Sequence, residues 1–184
     1  MRRPQPALGR LLRKKVKPLR VGTEVGAWRG LTSESLLCRF PNLRLIMVDC
    51  WEIGGGHETM PKTAGELKAA RWEAQFRTEF ADGRREILWA ESVEAARRVT
   101  DGSQDFVFID GEHTYEEVRR DIMSWWPKVR IGGILCGHDY RGLAVPGAEF
   151  RGQVKRAVDE WASLHGLEVN AWKADIFWVR KGDV

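Results

Sequence analysis

The segment 20–30 most constrains the fold, because a short apolar run stops there at a glycine-rich turn. Its sequence is Arg-Val-Gly-Thr-Glu-Val-Gly-Ala-Trp-Arg-Gly, which we interpret as a buried strand that leads through the turn into a helix. Gly26 permits a sharp bend and leaves room for a ligand beside the main chain. Gly30 stands at the start of the helix, whose free N–H groups and positive dipole end favour a polar ligand. Glu24, two residues before the bend, is placed to accept hydrogen bonds.

This turn differs from the Gly-x-Gly-x-x-Gly pattern, which brings the backbone close to a pyrophosphate. A carboxylate before the first glycine suits a ligand with hydroxyl groups or an ammonium better than one with two phosphates. Taken alone, the motif also fits an ordinary strand-to-helix turn whose glycines serve packing.

Strands and helices alternate along the rest of the chain. We predict five strands at about 19–25, 43–49, 86–89, 105–110 and 131–137, each followed by a helix at about 31–40, 63–80, 93–99, 114–126 and 150–165. Two closing strands, at about 167–172 and 175–180, form a hairpin around Lys173 and Ala174. This order predicts an α/β fold: a doubly wound, mostly parallel, seven-stranded sheet with helices on both faces and an antiparallel C-terminal edge.

Local signals refine three of these elements and the loops between them. Thr32 and Ser33 are candidate caps of the second helix, and Ser92 is a candidate cap of the helix after the third strand. The helix at 63–80 has its apolar positions at Leu67, Ala70, Ala74 and Phe76. Two loops, 52–62 and 140–150, are expected to supply groups that select a substrate.

The charge is unevenly distributed along the 184 residues, which are enough for one domain with a full core. The net charge is +4, yet residues 1–20 hold eight Lys or Arg and no acid, which leaves 22 basic and 26 acidic residues, a net −4. We divide the chain into a basic N-terminal helix or arm at 1–18 and a ligand-binding domain at 19–184. The arm is either a nucleic-acid contact or, as we favour, an amphipathic helix with its apolar side formed by Leu8, Leu11, Leu12 and Val16.

Composition also bears on the compartment. The sequence has no apolar run of membrane-spanning length, and no apolar segment follows the basic N-terminus as in a secretory signal. Its three cysteines, Cys38, Cys50 and Cys136, lack metal-site spacing and are expected to be reduced core residues. We therefore expect a cytoplasmic protein that does not contact a membrane.

Polar side chains follow each predicted parallel strand at the point where it ends. They are Glu24, Asp49, Ser92, Asp110 and the pair His138-Asp139. In open α/β sheets, ligands bind beyond the carboxyl ends of the strands, so we expect these groups to line one site. Asp49 can accept both ribose hydroxyls of a nucleoside, and Trp51 either lies along an adenine or packs in the core.

These pieces resemble class I S-adenosylmethionine-dependent methyltransferases over about residues 19–180. The matching segments are Glu-Val-Gly-Ala-Trp-Arg-Gly at 24–30, Val48-Asp49, Phe-Ile-Asp-Gly-Glu-His-Thr-Tyr at 108–115 and Gly-Gly-Ile-Leu-Cys-Gly-His-Asp-Tyr at 132–140. The last two resemble more narrowly the branch of sugar and macrolide O-methyltransferases and cephalosporin-type methyltransferases. The first motif is shared across the superfamily, whereas this pair is more specific.

The resemblance implies a Rossmann-like methyltransferase fold, S-adenosylmethionine as cofactor, and Mg²⁺ or another divalent cation as a candidate second one. It implies a role for each matching residue: Glu24 and Gly26, with Gly30, at the methionine end, Asp49 at the ribose, Trp51 and Ser92 near the adenine. Asp110 lies between cofactor and metal, and Asp139 is a second metal ligand. His113 matches a general base. Metal-using relatives often carry Glu-Asp or Asp-Asn where this chain has His138-Asp139.

The chemistry of these side chains agrees with such roles but leaves alternatives open. Asp110 and Asp139 offer the hard oxygen ligands that Mg²⁺ prefers, and His138 would be a softer metal ligand or a second base. His113 lies three residues beyond Asp110, so both can face one pocket. Alternatively, His113 caps its helix, and His138 is a buried histidine with structural hydrogen bonds.

The sequence thus predicts an S-adenosylmethionine-dependent methyltransferase that acts on a hydroxyl of a small molecule or sugar, with metal assistance. Transfer to nitrogen, a non-catalytic cofactor-binding protein of the same fold and a nucleic-acid methyltransferase remain alternatives. The last lacks the Asn/Asp-Pro-Pro-Tyr type of motif that holds a flipped base, so nucleic acid is not the expected acceptor. A homo-oligomer is compatible with the sequence.

Overall fold

The computed structural model describes residues 6–51, 63–142 and 152–182. Six α-helices and seven strands alternate within them. The helices are α1 (Pro6–Lys15), α2 (Leu31–Arg39), α3 (Ala64–Arg77), α4 (Ser92–Arg97), α5 (Tyr115–Trp125) and α6 (Gln153–Leu164). The strands are β1 (Val21–Val25), β2 (Arg44–Asp49), β3 (Arg85–Trp89), β4 (Gln104–Ile109), β5 (Val129–Gly137), β6 (Asn170–Trp172) and β7 (Ile176–Arg180). Short 3₁₀ segments, Glu79–Arg84 and Trp126–Lys128, follow α3 and α5.

The strands form one seven-stranded sheet in the order β3-β2-β1-β4-β5-β7-β6. The first five pair in parallel, whereas β7 runs antiparallel to β5 and β6 antiparallel to β7. The predicted mixed sheet is therefore confirmed. The strand order reverses between β1 and β4, and such a reversal opens a crevice at the carboxyl ends of the strands.

Two apolar layers hold the helices to the sheet, one on each face. Side chains of β4 show the alternation: Phe106 and Phe108 enter the layer under α1, α2 and α3, while Val107 and Ile109 enter the layer under α4, α5 and α6. Because a parallel sheet covered on both faces is apolar on both, β4 is buried along its whole length. No described helix is long and apolar enough to cross a membrane.

The basic N-terminal helix is amphipathic, as predicted, and forms part of the main core. Leu8, Leu11 and Leu12 are fully buried, and Val16 nearly so. The ammonium of Lys15 lies 4.5 Å from the centre of the Trp178 ring, which fixes the end of α1 to β7.

Three local predictions are wrong, each because a tertiary contact decides the side chain's position. The N-cap of α2 is Gly30, and the Ser33 hydroxyl instead donates to the Glu24 carboxylate. Ser92 is the first residue of α4 and accepts a hydrogen bond from the Trp125 indole at 2.9 Å, while Glu91 is the N-cap. Phe76 is exposed, because the buried side of α3 consists of Leu67, Ala70 and Ala74.

The cysteine prediction holds in part, and the predicted hairpin is present. Of the three cysteines, only Cys136 is a core residue, since Cys38 is exposed and Cys50 half-buried. Strands β6 and β7 form the expected hairpin. Its turn consists of Lys173, Ala174 and Asp175 between the paired Trp172 and Ile176, so it includes both predicted residues, and Ala174 and Asp175 have positive φ.

Candidate active site

Glu24 lies near the end of β1, the middle one of the five parallel strands. It is buried, and the Ser33 hydroxyl of α2 donates to its Oε2. β1 is flanked by β2 and β4, and the hydrogen bond from Ser33 restricts the orientation of the carboxylate. A buried carboxylate held in this way keeps a fixed orientation toward a ligand.

Gly26 and Gly30 are required by packing within the protein. Both have positive φ, +87° and +73°. A Cβ on Gly26 would lie 2.3 Å from the carbonyl oxygen of Asp110, and a Cβ on Gly30 would lie 2.8 Å from the Cα of Ala74. The first glycine lets the β1 and β4 turns approach each other, and the second lets α3 pack against the start of α2. These contacts bring Glu24 and Asp110 to neighbouring positions at the edge of the sheet.

Asp49, at the end of β2, joins two turns through its carboxylate. Its Oδ2 accepts the backbone N–H of Trp28 at 2.8 Å, and its Oδ1 accepts that of Trp51 at 2.9 Å. The Trp51 indole is almost completely buried and donates to the carbonyl oxygen of Trp28 at 2.9 Å. Trp51 itself contributes to the main core.

Backbone strain concentrates where the strands end. Trp28, Trp51 and Asp139 follow β1, β2 and β5, and each has a positive φ of 44–54°, which is costly for side chains of this size. Hydrogen bonds and ion pairs hold these conformations. We call this carboxyl edge of the parallel strands the rim. Residues kept in costly conformations often cluster at ligand sites.

A buried polar cluster behind the rim involves Asp121, which sequence analysis missed. Asp121 lies on α5 among buried apolar neighbours, and the hydroxyl of Ser92 bonds its carboxylate. Burial raises the pKa of Asp121 to about 7; the bond to Ser92 opposes the rise, and the nearby Glu117 charge adds to it. Val118, Asp121, Ile122 and Trp125 form one helix face, so an acid at an otherwise apolar helical position was the available signal.

Two carboxylates and two imidazoles from the β4 and β5 turns converge at the rim. The Nε2 of His113 lies 3.0 Å from Oδ2 of Asp139 and 3.8 Å from Oδ1 of Asp110. The Nδ1 of His138 lies 3.2 Å from the same Asp139 oxygen and 3.9 Å from the same Asp110 oxygen. The four residues that were predicted to share a pocket are thus brought together. The N-cap of α5 is Thr114, so His113 is not its N-cap.

The negative charges of Asp110 and Asp139 raise the pKa of both imidazoles. Burial tends to lower the pKa of His113, but hydrogen bonds to Asp110 and Asp139 and their charges outweigh it and raise the pKa to about 9. Burial is likewise outweighed at His138, where Asp139 and Asp110 raise the pKa. Burial disfavours the Asp139 anion, but the two histidines hold the pKa of that carboxyl below its usual range. When no cation is bound, His113 is therefore protonated at neutral pH, and its positive charge balances the charge of the carboxylates.

The cluster has the chemistry of a divalent-cation site. One donor atom each of Asp110, His113 and Asp139 lies within 4.8 Å of the others. Two carboxylates and an imidazole suit Mg²⁺, Mn²⁺ or a softer ion. The imidazole among these three donors is that of His113, whereas sequence analysis predicted His138 as the metal ligand beside the two aspartates. A cation there would replace the charge of the imidazolium and favour the neutral ring of His113.

The two loops expected to select a substrate lie largely outside the described residues, and His165, to which we assign no role, lies outside this site. The loop 52–62, with His57 and Gly54–Gly56, and most of the loop 140–150 are not among the residues described. His165 lies at the end of α6, where its Nδ1 is 2.7 Å from the carbonyl oxygen of Trp161, far along the chain from the rim.

Comparison with known proteins identifies the family. A family model described as "Methyltransferase domain" matches residues 23–140, more than half of the chain. The chain therefore belongs to the methyltransferase-domain family. Its fold and family together make it a class I S-adenosylmethionine-dependent methyltransferase, as the sequence predicted. No curated protein matches the sequence significantly.

Solved structures agree on the fold. A protein from Corynebacterium glutamicum has 17% identity and a TM-score of 0.69, with 100% of this chain and 84% of that chain covered. The cofactor-bound protein Rv0187 from MTB has 18% identity and a TM-score of 0.61, covering 89% and 74%. An O-methyltransferase family protein from Burkholderia thailandensis has 17% identity and a TM-score of 0.62, covering 97% of this chain and 58% of that one.

Proposed function

We propose that this methyltransferase transfers a methyl group to a hydroxyl of a small molecule or sugar and that a divalent cation assists it. The observation that carries the proposal is the convergence of Asp110, His113, His138 and Asp139 at the rim. Two carboxylates so close together repel each other unless positive charge lies between them. A structural neighbour that is an O-methyltransferase family protein supports transfer to oxygen.

The first three strands provide the cofactor-binding half of the proposed site. Glu24, with Gly26 and Gly30 shaping its turn, would bind the methionine end, where an ammonium meets the buried carboxylate. Asp49, which is oriented by its two backbone contacts, would accept the ribose hydroxyls. Trp51 and Ser92 would border the adenine.

Methyl transfer places one demand on geometry and one on protonation. The acceptor oxygen, the methyl carbon and the sulfur must be nearly collinear, so that the oxygen–carbon bond forms as the carbon–sulfur pair returns to sulfur. The acceptor must also lose its proton, and a neutral His113 at the rim is the proposed recipient, with His138 as the alternative base. Asp110 and Asp139 orient both rings from one side.

A cation would be held by Asp110 and Asp139, with His138 as the further ligand where His113 is the base. Such an ion would lower the pKa of the acceptor hydroxyl. The roles of the protein follow from its own geometry: it orients the two carboxylates, keeps the imidazoles against them and buries His113 away from water.

The test is methyl transfer from S-adenosylmethionine to a panel of phenols, catechols and sugars, measured as S-adenosylhomocysteine formed. We expect activity that excess chelator removes and that added Mg²⁺ or Mn²⁺ restores. Asp139→Asn should lose activity with cofactor affinity nearly unchanged. His113→Ala should lower turnover by about 10²–10⁴-fold.

Three results would each contradict a separate part of the proposal. Full activity in excess chelator would exclude the metal, and full activity of His113→Ala would exclude the base. Transfer to amines but to none of the hydroxyls would exclude O-methylation and leave the methyltransferase assignment intact. We propose a cytoplasmic location, because three widely spaced cysteines without metal-site spacing suit a reducing compartment.

A further inference from the structure

Four exposed aromatic side chains lie on or beside α3, next to the edge strand β3. Trp72, Phe76, Phe80 and Trp89 are each more than half exposed. Trp72 and Phe76 stack face to face with ring centres 5.1 Å apart, and the guanidinium of Arg71 lies 3.6 Å from the centre of the Trp89 ring. We name these four residues the aromatic face.

The size of the aromatic face suits a protein contact. An aromatic side chain buries roughly 150–250 Å² when it is covered, so four half-exposed ones present roughly 300–500 Å². Apolar surface of that extent on a single chain is often functional. With the polar residues around it, the face approaches the ~800 Å² that each partner contributes to a standard interface.

Charge along α3 indicates what covers the aromatic face. The outward stripe of the helix has Lys68 near its start, Trp72 and Phe76 in the middle, and Glu79 just past its end, all exposed. Within the described residues, neither Lys68 nor Glu79 takes part in a salt bridge. A basic end, an apolar middle and an acidic end make the stripe complementary to itself when it is reversed.

We propose that the aromatic face is the interface of a homodimer in which α3 packs antiparallel against α3 of a second copy. A two-fold axis between Trp72 and Phe76 places Trp72 of one copy against Phe76 of the other. The same axis sets Lys68 opposite Glu79 at both ends of the contact, as an isologous interface requires. The Trp89 indole donates to the carbonyl oxygen of Cys50 at 2.6 Å, so the interface adjoins the turn that holds Asp49 and Trp51.

The test is sedimentation velocity over concentrations up to about 100 µM, where even a weak dimer is populated. The wild-type chain should be a dimer, and the Trp72→Glu/Phe76→Glu variant should be a monomer at every concentration. Because both side chains are exposed, the variant should keep its circular dichroism and its affinity for S-adenosylmethionine. The control is Leu164→Glu on α6, an even more exposed apolar position outside the aromatic face that should leave the dimer intact.

A charge exchange tests the antiparallel arrangement independently of the apolar contact. Lys68→Glu alone, like Glu79→Lys alone, places like charges opposite each other at both ends and should weaken the dimer by about tenfold. The double variant Lys68→Glu/Glu79→Lys should restore the wild-type dissociation constant. A wild-type monomer at all concentrations would overturn the proposal and leave the face to the segment 52–62 or to another protein. A dimer unaffected by the Trp72 and Phe76 changes, or not restored by the exchange, would overturn it as well.

Discussion

At the scale of single residues, the rim side chains are held in place by the protein before any ligand arrives. Asp49 bonds two backbone N–H groups, Glu24 is bonded by Ser33, and Asp139 faces both histidines. Ligand binding therefore does not have to order these groups, and less free energy is lost on binding.

Asp49→Ala should weaken S-adenosylmethionine binding by about 1–3 kcal/mol, because it leaves the ribose hydroxyls and two backbone N–H groups without their acceptor. Asp49→Asn keeps one oxygen acceptor and should lose less. Titration calorimetry measures both, with the exposed Glu94→Ala as control. Equal affinity of Asp49→Ala and wild type would show that the ribose binds elsewhere.

Asp121 gives the folding stability a specific pH dependence. Burial raises its pKa in the folded protein to about 7, whereas in the unfolded chain the carboxyl ionises near pH 3.9. Between these values only the folded state holds the proton, so this residue's contribution to the free energy of unfolding falls as pH rises from about 4 to 7. The contribution is constant above and below that window.

Asp121→Asn removes this contribution and can still accept the hydrogen bond from Ser92. Compared with the wild type, the variant should gain up to about 1.4 kcal/mol of stability per pH unit between pH 4 and 7. Urea unfolding at several pH values measures the difference. The exposed Glu94→Gln should run parallel to the wild type, and a parallel curve for Asp121→Asn would contradict the assignment.

At the scale of elements, one carboxylate ties together the amino ends of β1, β4 and β5. The buried Asp105 of β4 accepts the backbone N–H groups of Arg20 and Val21 on one oxygen, at 2.6 and 2.8 Å. Its other oxygen accepts the Nε–H of Arg130 of β5 at 2.6 Å. This contact fixes the end of the sheet opposite the site.

Asp105→Ala should lower the free energy of unfolding by about 2–3 kcal/mol, because it leaves a partly buried guanidinium and two N–H groups without an acceptor. Chemical denaturation measures the loss. The matched control is Asp101→Ala, whose ion pair with Lys128 is exposed on the aspartate side and should contribute less than about 1 kcal/mol. Similar losses in both variants would contradict the role given to Asp105.

The periodicity of the sequence was enough to predict the elements, because strands buried on both faces leave apolar runs that end in polar residues. All seven strands and the rim groups follow from that pattern. Contacts between distant segments were not predictable. Ser33 bonds Glu24 instead of capping α2, Gly26 makes room for Asp110, and Asp121 is buried by α5 packing on the sheet. Each depends on which elements become neighbours in space.

At the scale of the whole molecule, the basic N-terminal segment stabilises the fold. Leu8, Leu11 and Leu12 are fully buried in the main core, so Leu11→Ala should lower the free energy of unfolding by about 2–5 kcal/mol. For the same reason, deletion of residues 1–17 would damage the core and cannot isolate the effect of the charges. Substitution of exposed basic residues on α1 isolates the effect of the charges.

Arg10 and Arg13 are exposed on α1, and we predict that they do not form a nucleic-acid site. The double variant Arg10→Ser/Arg13→Ser should bind S-adenosylmethionine as the wild type does, because both side chains are exposed and α1 packs against Trp172 and Trp178 of the β6–β7 hairpin. Fluorescence anisotropy with duplex DNA and with RNA should show only weak binding by the wild type at physiological salt. If the wild type instead bound either one with an affinity that fell steeply with salt, and the double variant had a smaller salt slope, the released counterions would identify α1 as a phosphate-binding surface and contradict the prediction.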